Sequence, residues 1–407
     1  MPMRICFVTS SYPKSESDGS ARFVRSMAEA LSDLGHEVHV VLPYRSDLQL
    51  WQDRVQMYPF RYVWPDRLAI MGYADAMTSD RSLRGGAYAL APGFAMAEAY
   101  RVLRLHARFN YDIIHAHWVI PNGTVAAWVA GRIGRPLVIS LHGSDVFFAQ
   151  KRMALRAAAR WTFARAASVT ACSPVLYKGA LALRAKAATL HLIPYGADPI
   201  AFAPTVERRT AARRALGLEP HQLLVLFVGR LVEKKGTAYL LRALPAVLQA
   251  VPGVVCAIAG DGPERQPLEA CANRLNIESH VRFLGGVAWS ELPGLLAAAD
   301  IFVAPSIYDS QGNVDGLPNT ILEAMAAGCA VVASDVAGIG LAIDDNVHGL
   351  LVPEKDPVAL AAAITRLAAD HDLRRRLGEQ ARARVERELN WHAMAEKISA
   401  IYATSHR

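Results

Sequence analysis

Two carboxylates flank a predicted helix start in the segment DGLPNTILE, in the second half of the chain. Pro318 is a favourable first helical residue, and the N–H groups of Asn319 and Thr320 behind it have no acceptor within a helix. Such an N-terminus attracts anions, and phosphate is the usual anion at the carboxyl end of a parallel sheet. Asp315 precedes the helix and Glu323 lies about a turn and a half inside it. Both carboxylates therefore suit the recognition of hydroxyls on either side of a bound phosphate.

An ordinary α/β unit would place the same carboxylates on a solvated surface, because acidic residues are common near helix starts. A second group of residues favours the phosphate site. Arg230 and Lys235 lie in GRLVEKKG, directly after the apolar strand that begins LLVLFV. Fixed cations at a strand end neutralise a departing diphosphate without a metal. An isolated Arg/Lys pair on such a loop is more often structural. Together with the predicted helix N-terminus at Pro318, however, the pair indicates a phosphate site more specifically.

The first half has candidate side chains of its own at predicted strand ends. The strand PLVISLHG ends near His142, with Asp145 three residues later, and the carboxyl end of a strand is where α/β sheets place chemistry. On the strand YDIIHAHW, His115 and His117 share one face by the two-residue period. A metal site there lacks a third ligand at convincing spacing, so we interpret these histidines as hydrogen-bonded residues at a strand end.

The loop after the first predicted strand contains Gly19. This glycine allows a ligand to approach the backbone closely, or it simply serves a turn. The loop lacks the G-x-G-x-x-G pattern, which disfavours dinucleotide binding.

The elements that position these residues alternate between strands and helices in both halves. RICFVTS and HEVHVVLP begin the first half, while LLVLFVGR and a helix from Thr237 to Ala250 begin the second. This pattern predicts an α/β fold of two Rossmann-like βαβ domains, residues 1–200 and 201–407, each of ordinary domain size.

Composition and charge further narrow the kind of protein that this sequence encodes. About half of the residues are apolar, but no apolar run is long enough to span a bilayer. The apolar core of the N-terminal segment is too short for a signal peptide. We therefore expect a cytoplasmic protein. The five cysteines are scattered and indicate small core residues. Residues 1–200 contain 23 Lys/Arg against 14 Asp/Glu, so the first half is the basic one and predicts an acidic partner.

Two basic segments of the first half suit such a partner. An irregular stretch from residue 45 to 85 mixes aromatic residues with arginines, a composition that suits single-stranded nucleic acid, sugar rings or a lipid headgroup zone, although a part-buried loop would have the same composition. Its members are Trp51, Arg54, Tyr58, Phe60, Arg61, Tyr62, Trp64, Arg67, Tyr73, Arg81 and Arg84. Later, Lys151, Arg152, Arg156 and Arg160 recur among apolar residues in a predicted helix, a pattern that fits an acidic membrane surface or a solvated helix face.

Four motifs follow one another in the order found in one enzyme family: HGSD, GRLVEKKG, AGDGPE and DGLPNTILEA. Together they resemble the retaining glycosyltransferases of family 4, and the resemblance covers nearly the whole chain. It implies the GT-B architecture, with an acceptor domain and a nucleotide-sugar donor domain facing each other across a cleft, and a C-terminal helix that crosses back to the first domain. Three positions depart from the family: Asp315 stands where Glu is commoner, Tyr195 replaces Asn, and Leu341 replaces an acidic residue.

The resemblance also implies a role for each matching residue. Arg230 and Lys235 hold the diphosphate, Asp315 and His142 contact the sugar, and Glu323 binds the ribose. Further donor-side positions are Gly19, Gly260, Gly262, Leu284, Val287, Gly316, Leu317, Asn319 and Thr320, and the acceptor side has Gly19, His117 and Asp145. In the family the leaving phosphate deprotonates the acceptor. We therefore expect no side-chain nucleophile, no metal and no cofactor.

The implied partners are a nucleotide-diphosphate sugar and a saccharide or lipid-linked acceptor, with peripheral attachment to an anionic membrane surface at the inner face. Polysaccharide or glycolipid assembly is the expected role. A sugar-nucleotide epimerase of the same architecture is one alternative, but such enzymes lack this pairing of cations and carboxylates. A non-catalytic basic binding protein is the other. Nucleic acid is not an expected partner, since it would not explain a phosphate site in the less basic half.

Overall fold

The computed structural model describes residues 2–50, 54–73, 77–79, 82–83 and 85–406. Trp51, Arg81 and Arg84 of the aromatic stretch lie outside these residues. The chain divides into two compact units, one of Met1–Pro194 with Trp391–Arg407 and the other of Tyr195–Asn390. The division of acceptor and donor binding between residues 1–200 and 201–407 stays a prediction.

A seven-stranded parallel sheet forms the centre of the first unit, in the order β3-β2-β1-β6-β7-β8-β9. Every residue of its central strands β6 and β7 is buried, because helices cover both faces of a parallel sheet. The strands are β1 (Arg4–Val8), β2 (Glu37–Pro43), β3 (Gln56–Phe60), β6 (Ile113–His117), β7 (Leu137–Leu141), β8 (Ser168–Ala171) and β9 (Leu190–Leu192), and β4 (Met77–Ser79) pairs separately with β5 (Ser82–Leu83).

In the described part of the first unit, six α-helices precede the second unit. They are α1 (Arg22–Asp33), α2 (Gly85–Phe109), α3 (Thr124–Ile133), α4 (Ser144–Lys151), α5 (Met153–Phe163) and α6 (Pro174–Ala182). On α1 the buried residues Val24, Met27, Ala28 and Leu31 recur every three or four positions, so one face of the helix packs into the core.

The second unit has a six-stranded parallel sheet in the order β12-β11-β10-β13-β14-β15. Its strands are β10 (Leu223–Val228), β11 (Val254–Ala259), β12 (Val281–Gly285), β13 (Ile301–Ala304), β14 (Ala330–Ser334) and β15 (Leu350–Val352). Its helices are α7 (Val206–Ala215), α8 (Thr237–Ala250), α9 (Arg265–Arg274), α10 (Leu292–Ala298), α11 (Asn319–Ala326), α12 (Pro357–Ala369) and α13 (His371–Arg387). The predicted architecture of two Rossmann-like α/β domains is thereby confirmed.

The last helix, α14 (Trp391–Ser405), belongs to the first unit. Met394, Ile398, Ile401 and Tyr402 are buried at the spacing of one helix face and pack into the core that contains Leu31 of α1. The C-terminal residues thus help to hold the sheet that the N-terminal residues begin.

In each sheet the strand order reverses at one point, between β1 and β6 in the first unit and between β10 and β13 in the second. Strand ends at such points are where open α/β sheets bind ligands. All five cysteines are buried as thiols. Among the described residues, no helix has both the length and the apolar character needed to cross a membrane.

Candidate functional site

In the second unit, the loops that follow β10 and β13 are joined at the strand ends. The Ile307 N–H donates to the Lys234 carbonyl oxygen at 2.9 Å. The carboxylate of Glu233 accepts from the N–H and the hydroxyl of Ser310, both at 2.8 Å. The loop with the predicted phosphate cations is therefore held against the loop that leads into α11.

The loop after β11 approaches the same strand end through two glycines. Gly260 has a φ of +142°, and a Cβ there would lie 1.8 Å from the Gly229 carbonyl oxygen. A Cβ at Gly262 would lie 2.3 Å from the carbonyl oxygen of Leu231, and the N–H and carbonyl of Leu231 both form hydrogen bonds with this loop. The Gly260 N–H in turn donates to Gly285 at the end of β12, at 2.7 Å. Only glycine permits this backbone packing.

Asp315 lies between two lysines of the loop after β10. Its carboxylate oxygens are 2.8 Å from Lys234 Nζ and 2.6 Å from Lys235 Nζ, and the side chains of all three residues are less than one fifth exposed. Burial alone would raise the pKa of Asp315, but the two ammonium groups hold that pKa well below its usual range. The cluster is thus ionised, with two cations around one anion.

The helix behind this cluster begins one residue later than predicted. Pro318 was expected to be the first helical residue, but its ψ of 124° is extended, so it caps α11 and Asn319 is the first helical residue. The N–H groups of Asn319 and Thr320 have no acceptor within the helix. The Asn319 Oδ1 atom is buried, and no described residue donates a hydrogen bond to it. Glu323 is half-buried farther along α11.

The remaining predicted donor-side residues lie around this cluster. Arg230 is exposed immediately after β10. Leu284 and Val287, around the end of β12, are half-buried beside the Gly260 loop. The loops that follow β10, β11, β12 and β13 therefore meet at one end of the sheet. The fixed cations and the free N–H groups at the start of α11 suit a phosphate-bearing ligand there. Gly316 and Leu317 precede the helix, and Gly316 accepts a hydrogen bond from the Gly338 N–H at 2.7 Å.

In the first unit, three histidines lie in a row at the ends of β6 and β7. His115 and His117 have ring centroids 4.7 Å apart, which confirms that they share one face of the strand. His117 Nδ1 lies 3.0 Å from His142 Nε2. Burial, together with the neighbouring histidines, lowers the pKa of both His117 and His142 well below the usual range, so these rings are neutral. Among the described residues, no three His, Cys, Asp or Glu side chains gather as metal ligands.

Asp145 and Gly19, predicted on the acceptor side, differ in their surroundings. Asp145 is buried, and its carboxylate accepts from the Val119 N–H at 2.8 Å and the Gly143 N–H at 3.1 Å. It therefore shapes the turn after His142. Gly19 is exposed, and a Cβ at this position would have no neighbour within 4 Å.

The aromatic stretch is partly a packed loop. Phe60 and Tyr62 each lie 5.1 Å from the ring of Phe94 on α2, so these two aromatics are structural. Trp64 is mostly exposed and lies 5.9 Å from the guanidinium of Arg61. Arg61 and Trp64 are therefore two members of this stretch that can meet a ligand.

Sequence reasoning missed three residues that the structure places in these clusters. Lys234 lies within GRLVEKKG but was given no role, although its Nζ is 2.8 Å from the Asp315 carboxylate, against 2.6 Å for Lys235. The pair of adjacent lysines was the available signal. Tyr402 and Ser140 hydrogen-bond His115, and no spacing in the sequence connects them.

Two family models match the chain. "Glycosyl transferase 4-like domain" matches residues 18–196, and "Glycosyl transferases group 1" matches residues 208–384. The two matches fall on the first and the second unit respectively.

The chain is also similar to individual proteins. It is 30% identical over 369 residues to TuaC of Bacillus subtilis (strain 168), a glycosyltransferase assigned to teichuronic acid biosynthesis, with 89% of each protein covered. Sucrose-phosphate synthase from Thermosynechococcus elongatus has a TM-score of 0.77 at 25% identity, over 99% of this chain and 98% of that one. HepE of Anabaena, solved in complex with UDP-glucose, has a TM-score of 0.75 at 21% identity, over 99% and 100%.

Proposed function

Because the chain belongs to the family 4 glycosyltransferases of GT-B architecture, we propose that it transfers a sugar, with retention, from a nucleotide-diphosphate sugar to an acceptor hydroxyl. The observation that carries this proposal is the cluster of Lys234, Asp315 and Lys235 at the ends of β10 and β13. It offers fixed positive charge where an α/β sheet binds phosphates. HepE, solved with UDP-glucose, supports a donor of this class.

Within the donor site, Arg230 and Lys235 bind the diphosphate, and Lys234 joins them. Asp315 contacts the sugar, and Glu323 binds the ribose hydroxyls. The backbone from Leu284 to Val287 receives the base. In this site three cations, Arg230, Lys234 and Lys235, outnumber the two carboxylates of Asp315 and Glu323, so the net charge is positive and attracts a diphosphate.

Catalysis in this proposal depends on charge and position. As the glycosidic bond to the diphosphate breaks, negative charge grows on the leaving phosphate, where Arg230 and Lys235 stabilise it. The acceptor hydroxyl attacks from the same face and gives its proton to that phosphate, so retention needs no side-chain nucleophile. The cations supply the positive charge that a metal would otherwise provide. His142 contacts the sugar, as the family resemblance implies.

The acceptor is proposed to be a saccharide at a membrane surface, lipid-linked or otherwise, at the inner face. The α4–α5 junction supports this, since Lys151, Arg152 and Arg156 are exposed there beside Met153, which is 84% exposed. Arg152 also contacts the ring of Tyr88 on α2, with a separation of 5.3 Å. Cations beside exposed apolar and aromatic groups suit an anionic bilayer surface. The likeness to TuaC, assigned to teichuronic acid biosynthesis, agrees with an acceptor of this kind.

Donor binding is tested by thermal-shift measurements with a panel of nucleotide diphosphates and their sugar conjugates. Arg230→Ala and Lys235→Ala should abolish the stabilisation that one member gives the wild type. Arg242→Ala, an exposed arginine on α8, is the matched control and should retain it. If Arg230→Ala and Lys235→Ala respond as the wild type does, the donor site is misplaced.

The reaction class is tested with the stabilising donor. Transfer to an acceptor hydroxyl should give a product with the anomeric configuration of the donor, measured from the anomeric proton coupling. Inversion would contradict the proposed mechanism, and conversion of the sugar nucleotide without acceptor would identify an epimerase.

A further inference from the structure

The end of β12 is an irregular strip of backbone built from small residues. The pairing of β11 with β12 skips Leu284, so that Ala259 lies opposite Gly285. Gly285 has a φ of +74°, and the next residue, Gly286, is exposed, with no atom within 4 Å of the place that a Cβ would take. The Gly285 carbonyl oxygen accepts the Gly260 N–H at 2.7 Å, which fixes the strip. A bulge of this kind lets a flat group approach the backbone closely.

The guanidinium of Arg265, the first residue of α9, lies against this strip. Its Nε donates to the Glu269 carboxylate at 2.8 Å. Its Nη2 is 3.5 Å from the Phe283 carbonyl oxygen, and its central carbon is 5.6 Å from the centre of the Phe283 ring. The remaining nitrogen, Nη1, is 3.5 Å from the place that a Cβ of Gly285 would take. Glu269 and Phe283 therefore orient the guanidinium and place Nη1 beside Gly285.

Nη1 is the part of this guanidinium that can meet a ligand. In the part of the chain that the structure describes, Arg265 bonds through Nε and Nη2, and no residue accepts from Nη1. The side chain is 29% exposed. A guanidinium is always charged and has only donors, so the ligand group that it recognises must be an acceptor. The alternative is a structural role, in which Arg265 only supports β12 through the Phe283 carbonyl.

The proposed function brings a nucleobase to this place, since it assigns the backbone from Leu284 to Val287 to the base. Uracil and guanine both have carbonyl oxygens on their edges, and these oxygens accept hydrogen bonds from a guanidinium. Adenine has no carbonyl oxygen. Its amino group would face the N–H groups of Arg265 as a second donor, so the contact would gain nothing.

We propose that Arg265 is a specificity-determining residue of the donor site, which donates its Nη1–H to a carbonyl oxygen of the nucleobase. The site then prefers a uracil or guanine nucleotide to an adenine nucleotide. This inference rests on the proposed function, which supplies the position of the base. The guanidinium and the strip that it lies against both belong to the second unit.

Calorimetric titrations of the full chain with UDP, GDP and ADP test the base preference. The wild type should bind UDP or GDP about tenfold more tightly than ADP, and the tighter of the two identifies the base. Arg265→Met removes the N–H groups but keeps an unbranched stem beside Phe283. It should bind the preferred diphosphate about tenfold more weakly and should change the affinity for ADP by less than about twofold.

Arg274→Met is the matched control, since Arg274 is an exposed arginine in the last turn of the same helix. This variant should keep the wild-type affinities for all three diphosphates. Urea unfolding of both variants shows whether the second unit keeps its stability. If Arg265→Met weakens UDP, GDP and ADP by the same factor, Arg265 supports β12 and does not read the base, and the proposal is overturned.

Failure of this inference can be told apart from failure of the proposed function. A wild type that binds ADP at least as tightly as UDP and GDP would overturn the reading of a carbonyl oxygen and leave the proposed class of donor intact. A preference for UDP or GDP that persists in Arg265→Met would overturn the role of Arg265 alone. A wild type that binds none of the three diphosphates would contradict the proposed function and this inference together.

Discussion

Lys235 Nζ lies 2.6 Å from the Asp315 carboxylate, so the residue proposed to bind the diphosphate is paired with the one proposed to contact the sugar. Lys234 pairs with the other carboxylate oxygen. A diphosphate that reaches these lysines must therefore compete with Asp315 for their N–H groups. The proposed function therefore predicts that donor binding and the position of Asp315 are linked by this competition.

Asp315→Asn should bind the nucleotide diphosphate about fivefold more tightly, because the amide releases both lysines. The sugar conjugate should gain less, since the proposed sugar contact is lost. The variant should also lose about 1–3 kcal/mol of unfolding free energy, because a largely buried charge pair is broken. Calorimetric titration and urea denaturation measure the two effects.

Asp372→Asn is the control for this substitution, since that side chain is 85% exposed on α13. It should change neither quantity. Weaker binding of the nucleotide diphosphate to Asp315→Asn would show that Asp315 supports the lysines and does not compete for them.

Gly260→Ala should destabilise the second unit by about 3 kcal/mol, because the new Cβ would meet the Gly229 carbonyl oxygen at 1.8 Å and the φ of +142° disfavours a side chain. Denaturant unfolding provides the measurement. Gly294→Ala is the matched control, since Gly294 lies in α10 and its Cβ would have only an ordinary contact at 3.9 Å. Gly294→Ala should raise the free energy of unfolding of the second unit by about 0.5–1 kcal/mol. Equal stabilities would contradict the close packing of the two loops.

Much of the fold could be predicted because strands buried on both faces are rich in apolar residues, as in β10 and β11. The helix predicted from Thr237 to Ala250 has those bounds in the structure. The contacts within the candidate site were harder to predict from the sequence. Two adjacent lysines signal a second cation in this loop, but the contact of Lys234 with Asp315 depends on the loop conformation, which the sequence does not specify. The bond between His115 and Tyr402 joins residues 287 positions apart and exists only once α14 has packed.

The first unit should lose stability as the pH falls below about 6.5. Burial lowers the pKa of His115 to about 3, so the folded state does not take up the proton that the unfolded chain binds between these values. Each such histidine contributes at most about 1.4 kcal/mol per pH unit. Buried Glu98, whose pKa is raised, acts in the opposite direction above its usual pKa and offsets part of the slope. Asp315 does not add to the pH dependence of stability in this range, because its pKa is lowered and it stays ionised in both the folded and the unfolded chain.

Urea unfolding at pH 7.5, 6.0 and 5.0 measures this slope. The titratable groups in contact with His115 are His117 and Tyr402. His117→Asn removes one histidine that is neutral when folded, so its slope should be shallower than that of the wild type. A stability of the first unit that does not change between pH 7.5 and 5.0 would contradict the neutral histidine row.

The α4–α5 junction should bind vesicles that contain anionic lipid. In flotation assays, the chain should associate with anionic but not with neutral vesicles, and added salt should reduce the association because exposed charges are screened. Arg152→Glu with Arg156→Glu should abolish it, since each exposed cation near an anionic surface contributes about 1 kcal/mol. Met153→Ser should weaken it without changing the charge.

A pair of substitutions in the second unit distinguishes this surface from general basicity. Arg242→Glu with Arg375→Glu changes the net charge by the same amount at exposed positions of α8 and α13. If binding depends on the α4–α5 junction, this variant should float with anionic vesicles as the wild type does. If both double variants lose binding equally, the total charge of the chain is responsible, and the acceptor would then be better sought among saccharides in solution.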